Sequence, residues 1–189
     1  AAYYATQGIP FVYRCVNRLD RNTSGLVIIA KNMASSAILY EEMKERRIRR
    51  TYLTVVHGGI DSPGTIDAPI RRRTASMIER CVDPVSGQRA VTHYVPLSRN
   101  PDNDTTALRV RLETGRTHQI RVHMASVGHP LAGDAVYGPR KVITELEGQC
   151  LHAAQLSFTH PITGEAMTFH APLPSYFTAF LRKTKLAED

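Results

Sequence analysis

Residues 16–31 read VNRLDRNTSGLVIIAK, and they place one acid between two arginines shortly before an apolar run. The run at residues 26–30 is continuous and partly β-branched, which predicts a buried strand. The preceding Thr-Ser-Gly predicts a tight turn. A carboxylate at the mouth of a buried strand needs a cation or hydrogen-bond donors, because it otherwise takes up a proton. Asp20 is therefore either a salt-bridge partner or a reactive carboxylate.

A cation for this carboxylate is available in a second segment, TGRTHQIRVH at residues 114–123. Helical spacing gives an apolar stripe that includes Ile120 and Met124, and Arg121 lies beside that stripe. A partly buried arginine needs a carboxylate, so the pattern favours a pair between Asp20 and Arg121. A bidentate guanidinium would keep Asp20 ionised and oriented for attack on an electrophilic carbon, although structural ion pairs have the same signature.

The remaining sequence indicates many short strands and few helices. Asn32 is expected to cap a helix through about residue 47, with Tyr40 on its buried face. Further strands are expected near residues 51–57, 75–81, 90–97 and 107–113, followed by a hairpin of 151–158 with 166–170 and a helix at 175–185. Residues 61–73, with three consecutive arginines, are expected to be loops. This pattern predicts an α+β fold, with a mixed, largely antiparallel sheet and flanking helices, in one domain over residues 1–189.

The chain is basic, with 24 Lys and Arg against 17 Asp and Glu, and its net charge is +7. This balance favours a polyanionic partner, most readily nucleic acid, and arginine suits phosphate oxygens better than lysine does. Three widely spaced cysteines without a CxxC pair are typical of a reducing, intracellular compartment. No apolar run approaches the roughly 20 residues of a membrane span, so no membrane partner is expected.

Other chemistries have weaker support in the sequence. Eight histidines occur without an HExxH motif or clustered Cys/His spacing, so no metal is expected. Neither GxGxxG nor GxxxxGK[ST] is present, which counts against a nucleotide cofactor. Tyr52, on the expected strand at residues 51–57, is either a core aromatic or a ring that stacks on a base.

The two segments resemble motifs of a known family. Residues 18–31, RLDRNTSGLVIIAK, resemble the HRLDxxTSGxLLxAK motif of the RluA-type pseudouridine synthases, which modify ribosomal and transfer RNA. Residues 115–123, GRTHQIRVH, are similar to a second motif of that family. Further similar blocks follow at residues 128–134, 137–138, 151–153, 160–165 and 171–174. The resemblance spans most of the chain and implies the pseudouridine synthase fold with a central RNA-binding cleft.

The resemblance also implies an isomerase that needs no cofactor or metal. Uracil would be detached from ribose C1′, turned, and rejoined through its C5. Asp20 would be the essential carboxylate, acting either as a nucleophile at C1′ or as the base that starts a glycal route. Arg121 would pair with it, and Tyr52 would lie against the target base.

Four more residues are implied in substrate binding. Arg18 would hold the RNA open around a flipped nucleotide, and Leu151 would pack on the base. Arg116 and His118 belong to the GRTHQIRVH block and are expected to contact the RNA. The expected partner is ribosomal or transfer RNA in the cytoplasm.

The sequence departs from the family pattern in two places. Asn17 stands where the family usually has histidine, and no KPxG motif precedes the matched blocks, so we expect a catalytic domain without its N-terminal part. A catalytically silent RNA-binding protein on the same scaffold is the alternative function. A small-molecule hydrolase that uses Asp20 is disfavoured, because no second acid has a comparable setting.

Overall fold

The structure, a computed structural model, describes residues 2–9, 12–139, 143 and 145–187. Its α-helices are α1 (Ala2–Thr6), α2 (Met33–Lys44), α3 (Gln119–Ser126) and α4 (Ser175–Lys183). Its strands are β1 (Arg14–Cys15), β2 (Ser24–Gly25), β3 (Ile29–Ala30), β4 (Arg49–His57), β5 (Gly64–Asp67), β6 (Ile70–Arg72), β7 (Arg80–Val82), β8 (Val91–Asn100), β9 (Thr105–Leu112), β10 (Leu151–Thr159) and β11 (Ala166–His170).

The fold is α+β, as predicted, and its main sheet is largely antiparallel. The strand order is β11–β10–β4–β9–β8–β5, and the short β2 pairs with β10 in parallel. Helices cover both faces of the central strand β4, so that the adjacent Val55 and Val56 are both fully buried. Val56 packs in a core with Ile120 of α3, and Val55 packs in a core with Phe177 of α4. The site described below lies on the α3 face.

The apolar run at residues 26–30 is not the buried strand that the sequence predicted. Only Ile29–Ala30 forms a strand, β3, which pairs with β1 in a two-stranded ribbon beside the main sheet. Ile28 is buried, whereas Val27 and Ile29 are 39% and 43% exposed. The ribbon packs through one face only, against Leu39 of α2, and a short apolar run does not reveal whether one or both faces will be covered.

Helix α2 begins where the sequence predicted and buries a different face. The Asn32 side chain caps it by accepting the amide of Ser35 at 2.8 Å. The helix ends at Lys44, earlier than predicted; its buried residues are Ser35 and Leu39, and Tyr40 is 62% exposed. The helix rests on the β1–β3 ribbon, and the position of that ribbon decides which face is covered.

Among the described helices, none has the length and apolar character needed to span a bilayer.

Residues 61–73 contain two strands, β5 and β6, where loops were predicted, and the strand predicted near residues 75–81 is confined to β7 at residues 80–82. β5 joins the main sheet beside β8, and β6 pairs with β7 in a separate hairpin. The arginine run at residues 71–73 lies mostly on β6 and has local acidic partners. Arg71 forms an ion pair with Asp83, and Arg73 Nε lies 3.1 Å from Glu79. These arginines therefore lie in a structured hairpin.

Candidate active site

The loop that carries Asp20 is held by hydrogen bonds at its base and at its side. At the base, Asn17 Oδ1 accepts the amide of Ile28 at 2.8 Å, which joins the two segments that flank the loop. At the side, Gln149 Nε2 donates to Thr23 Oγ1 at 2.8 Å. The asparagine that replaces the expected histidine therefore has a structural role at this position.

Gly25 lets the loop lie directly against the sheet. It pairs with Ala153 of β10, and its φ angle is 111°, which side-chain-bearing residues rarely adopt. A β-carbon at Gly25 would lie 2.6 Å from the Ala153 amide nitrogen. The Thr-Ser-Gly of the sequence motif is thus a close-contact site, and the turn fixes Asp20 relative to β10.

Arg121 lies behind Asp20 but has a closer partner. Its Nη1 is 3.5 Å from Asp20 Oδ2, whereas its Nε and Nη2 donate to the two carboxylate oxygens of Asp134 at 2.7 and 2.9 Å. The expectation of a bidentate contact with Asp20 is therefore wrong, because that contact is made by Asp134. The Asp134 side chain is fully buried, while that of Asp20 is 19% exposed.

The pair of Arg121 and Asp134 is stable in its charged form. Burial alone would raise the pKa of Asp134, but the hydrogen bonds and charge of Arg121, together with the amides of Val136 and Tyr137, outweigh burial and lower this pKa. Burial also opposes the charge of Arg121, but Asp134, with smaller contributions from Asp20 and Tyr137, more than compensates, so the pKa of Arg121 lies above its ordinary value. Arg121 is thereby fixed in place with Nη1 directed towards Asp20.

His118 precedes α3 and is held by Tyr137. The Tyr137 hydroxyl accepts the amide of Arg80 at 2.8 Å and lies 2.8 Å from His118 Nδ1. Burial lowers the pKa of His118, which favours a neutral ring that accepts the Tyr137 proton. The Arg121 guanidinium lies over the Tyr137 ring, 5.1 Å from its centroid. One tyrosine thus joins the predicted RNA-contact residue to the arginine behind Asp20.

A pocket opens in front of Asp20 and contains about 480 Å³ of empty space continuous with solvent. Its apolar lining includes Tyr52 and Leu151, which are both buried in the α3-side core. Burial raises the pKa of Tyr52, so its hydroxyl is neutral at physiological pH. The basic lining residues are Arg18, Arg50 and Arg116. The pocket combines an apolar interior, one carboxylate and a cationic entrance.

His152 lies close to the loop that carries Asp20 and has hydrogen-bond partners within the fold. Ser24 Oγ lies 2.8 Å from His152 Nδ1, and His152 Nε2 lies 3.2 Å from the carbonyl of Ala171. Burial lowers the pKa of His152, which favours a neutral ring that accepts the Ser24 proton.

In the part of the chain that the structure describes, no group of three or more His, Cys, Asp or Glu side chains is placed to hold a metal ion.

Comparison with known proteins places the chain in a family. A family model described as RNA pseudouridylate synthase matches residues 2–126. The chain belongs to this family. It is 46% identical, over 95% of its length, to the uncharacterized RNA pseudouridine synthase YjbO of Bacillus subtilis. It is 42% identical, over 90% of its length, to ribosomal large subunit pseudouridine synthase D of Haemophilus influenzae. The matched regions cover 62% and 55% of these two relatives, respectively.

Solved structures of this family share the fold. Human RNA pseudouridylate synthase domain containing 4 superposes with a TM-score of 0.75 at 25% sequence identity, covering 93% of this chain and 77% of that one. Human RNA pseudouridylate synthase domain containing 1 gives a TM-score of 0.72 at 27% identity, covering 94% and 82%. The α+β architecture described above is thus that of pseudouridylate synthase domains.

Six of the seven site residues predicted from the sequence line the pocket: Arg18, Asp20, Tyr52, Arg116, His118 and Leu151. The seventh, Arg121, lies behind Asp20 and has a side chain only 6% exposed. Arg18 donates to Thr117 Oγ1, and Arg116 Nε donates to the carbonyl of Arg89 at 3.0 Å. The pseudouridylate synthase motifs therefore converge on one pocket, although they are about a hundred residues apart in the sequence.

Sequence reasoning missed two residues of this site, Asp134 and Arg50. Asp134 follows Leu-Ala-Gly in one of the blocks that resemble the family, and an acid in so apolar a setting was the available signal. Arg50 precedes Tyr52 by two residues on β4, so strand alternation places both on the same face. Both signals depend on knowing which strand or loop faces the pocket.

Proposed function

We propose that this chain converts uridine in RNA to pseudouridine, with Asp20 as the catalytic carboxylate. The observation that carries the proposal is the partly exposed Asp20 carboxylate, which faces an apolar pocket with a cationic entrance. Arg121 supports this carboxylate from behind, while Asp134 takes the closer contacts of the guanidinium. Asp20 is thereby oriented, and it keeps lone pairs for chemistry at a substrate carbon.

The proposed reaction is an internal rearrangement of one nucleotide. The bond between uracil N1 and ribose C1′ breaks, the base turns, and C5 bonds to C1′. The proton leaves C5 for solvent, and N1 gains a proton. Because no electrons are gained or lost and every rejoined group comes from the substrate, we expect the reaction to need neither cofactor nor metal. Asp20 would act as the nucleophile at C1′ or as the base of the glycal route.

The pocket suits a nucleotide that has left the base stack. Flipping a nucleotide out of structured RNA costs a few kcal/mol. Contact of the base with the Tyr52 ring would recover part of that cost, since base–aromatic stacking contributes about 1–3 kcal/mol. Leu151 would bury the base from the apolar side, and Arg18 would contact the opened strand. His118 and Arg116 would complete the contacts at the entrance.

We propose large-subunit ribosomal RNA in the cytoplasm as the substrate, and residues 1–189 as one catalytic domain. The name of the Haemophilus influenzae relative supports this RNA over transfer RNA. The net charge of +7 supports a polyanionic partner of either kind.

The test is tritium release from RNA labelled with 5-[³H]uridine, because the reaction frees the hydrogen at C5. Wild-type protein should release tritium from a large-subunit ribosomal RNA transcript, and Asp20→Ala should release none. Asp102→Asn, which alters an exposed acid outside the pocket lining, should behave as wild type. Salt-dependent RNA binding without tritium release from the wild type would instead favour the silent RNA-binding protein.

A further inference from the structure

A second groove adjoins the Asp20 pocket and is larger, with about 1000 Å³ of empty space. We call it the flanking groove, and it is lined by Val16, Asn17, Arg18, Tyr40, Met43, Lys44, Arg46, Arg50, Glu113, Thr114, Gly115 and Arg116. Four of these residues, Arg18, Arg50, Gly115 and Arg116, also line the Asp20 pocket. The lining contains five basic side chains and one acidic side chain, so the groove is strongly cationic.

The three arginines shared by the pocket and the groove have no carboxylate partner among the described residues. Their contacts are neutral: Arg50 Nη2, for example, donates to the carbonyl of Thr114 at 3.3 Å. The other two groove cations are already paired, Arg46 with Glu113 at 3.0 Å and Lys44 with an acid of its own helix. The unpaired positive charge is therefore concentrated where the pocket meets the groove.

Arg50 is the least exposed of these three arginines. Its Nε atom is buried and has no hydrogen-bond partner among the described residues, which is rare for a buried donor. A β-carbon at Gly115 would lie 2.7 Å from Arg50 Nη1, so a larger residue at position 115 would displace the guanidinium. The fold thus makes room for the Arg50 side chain, which lines both the Asp20 pocket, beside Tyr52, and the flanking groove.

An exposed aromatic ring lies in the same groove. Tyr40 of α2 is 62% exposed, and no described aromatic ring stacks against it. A cationic groove with one free ring is typical of single-stranded nucleic acid sites, where phosphates contact arginines and bases stack on aromatics.

We propose that the flanking groove binds the nucleotide next to the flipped uridine. The phosphodiester between the two nucleotides contacts Arg50 at the boundary of pocket and groove, and the neighbouring base stacks on Tyr40. This inference rests on the proposed function, because it assumes that a uridine occupies the Asp20 pocket. Consecutive nucleotides share one phosphate, and the boundary is where that phosphate must lie if the chain continues into the groove.

The test uses a short single-stranded RNA of mixed sequence, fluorescently labelled, and proteins that carry Asp20→Asn so that no turnover occurs. Binding is measured by anisotropy between about 0.05 and 0.2 M salt, because each phosphate contact contributes about 0.7 to the salt slope on a single strand. Arg50→Gln should weaken binding about tenfold and reduce the slope by about 0.7. Tyr40→Ala should weaken binding about tenfold without changing the slope.

Arg49→Gln is the matched control, because it removes the same charge from the opposite face of the same strand. It should change the affinity less than twofold. Arg50→Lys keeps the positive charge but loses the planar guanidinium group. It should keep the salt dependence of binding and lose part of the affinity. It replaces Arg50→Gln if that variant does not fold. Equal effects of Arg50→Gln and Arg49→Gln would overturn the phosphate contact, and wild-type affinity in Tyr40→Ala would overturn the base contact.

These outcomes are separate from the test of catalysis. If the protein with native Asp20 releases tritium while Arg50→Gln and Arg49→Gln bind RNA equally, the groove proposal fails and the proposed function stands. If the native protein releases no tritium but Arg50→Gln shows the expected loss of affinity and slope, the proposed function fails and the groove remains an RNA site.

Discussion

Replacing Asp134 by asparagine tests which acid holds Arg121 in place. The substitution keeps the shape of the side chain and removes its charge, so a guanidinium that is only 6% exposed loses both carboxylate contacts. Removing one partner of a buried ion pair costs about 3–5 kcal/mol, because the other charge stays buried without compensation. We expect about 3 kcal/mol, at the lower end, because Arg121 can turn towards Asp20.

Urea and thermal unfolding at neutral pH measure this cost, with Asp20→Asn as the comparison. In a chain of this size, 1 kcal/mol corresponds to about 2–4 °C, so the melting temperature of Asp134→Asn should fall by about 6–12 °C. Asp20→Asn should cost less than about 1 kcal/mol, since its contact with Arg121 is 3.5 Å long and partly exposed. Equal destabilisation by the two substitutions would show that Asp20 is a main structural partner of Arg121, which would refute the reasoning.

Two further predictions concern the contacts that the loop carrying Asp20 makes with β10. Gly25→Ala should lower the free energy of unfolding by at least about 3 kcal/mol, because the added β-carbon meets the Ala153 backbone and the φ angle is positive. Gly164→Ala, where φ is also positive but the surrounding space is open, should cost about 1–2 kcal/mol. Equal shifts of the two variants in urea melts would contradict the contact between Gly25 and Ala153. Burial lowers the pKa of His152 below its ordinary 6.5, so the folded state resists a proton that the unfolded chain accepts. Stability should therefore be full above about pH 6.5 and fall as the pH drops through the folded pKa. His152→Gln should flatten that fall, and an unchanged pH profile would argue against a buried neutral ring.

The elements that the sequence predicted best are those whose pattern is local. Alternation over residues 51–57 and the hairpin around residues 159–166 depend on near neighbours, and both elements are present in the structure. The buried face of α2 and the surface ribbon of β3 were missed, because the packing of one on the other decides both. Residues 70–72 form a strand because β7 pairs with them, which the arginine run does not indicate.

The part of the site that could be predicted consists mainly of residues that lie within the two sequence motifs. Asp20 and Arg121 are conspicuous as charges beside apolar runs, and the fold brings them to 3.5 Å. Asp134 was missed as the main partner of Arg121 because a single arginine can satisfy two acids, and only the fold shows which one is closer. Arg50 was missed because the space for its guanidinium depends on the absence of a side chain at Gly115, which lies in the loop after β9.

The most direct test of the central claim is the single-turnover rate of tritium release from 5-[³H]uridine-labelled large-subunit ribosomal RNA by wild type and by Asp20→Asn. The claim is that the Asp20 carboxylate carries the chemistry while Asp134 carries the structural ion pair. We predict that Asp20→Asn folds with nearly wild-type stability, binds the RNA, and releases tritium at least a thousandfold more slowly. A rate within tenfold of wild type would contradict the account.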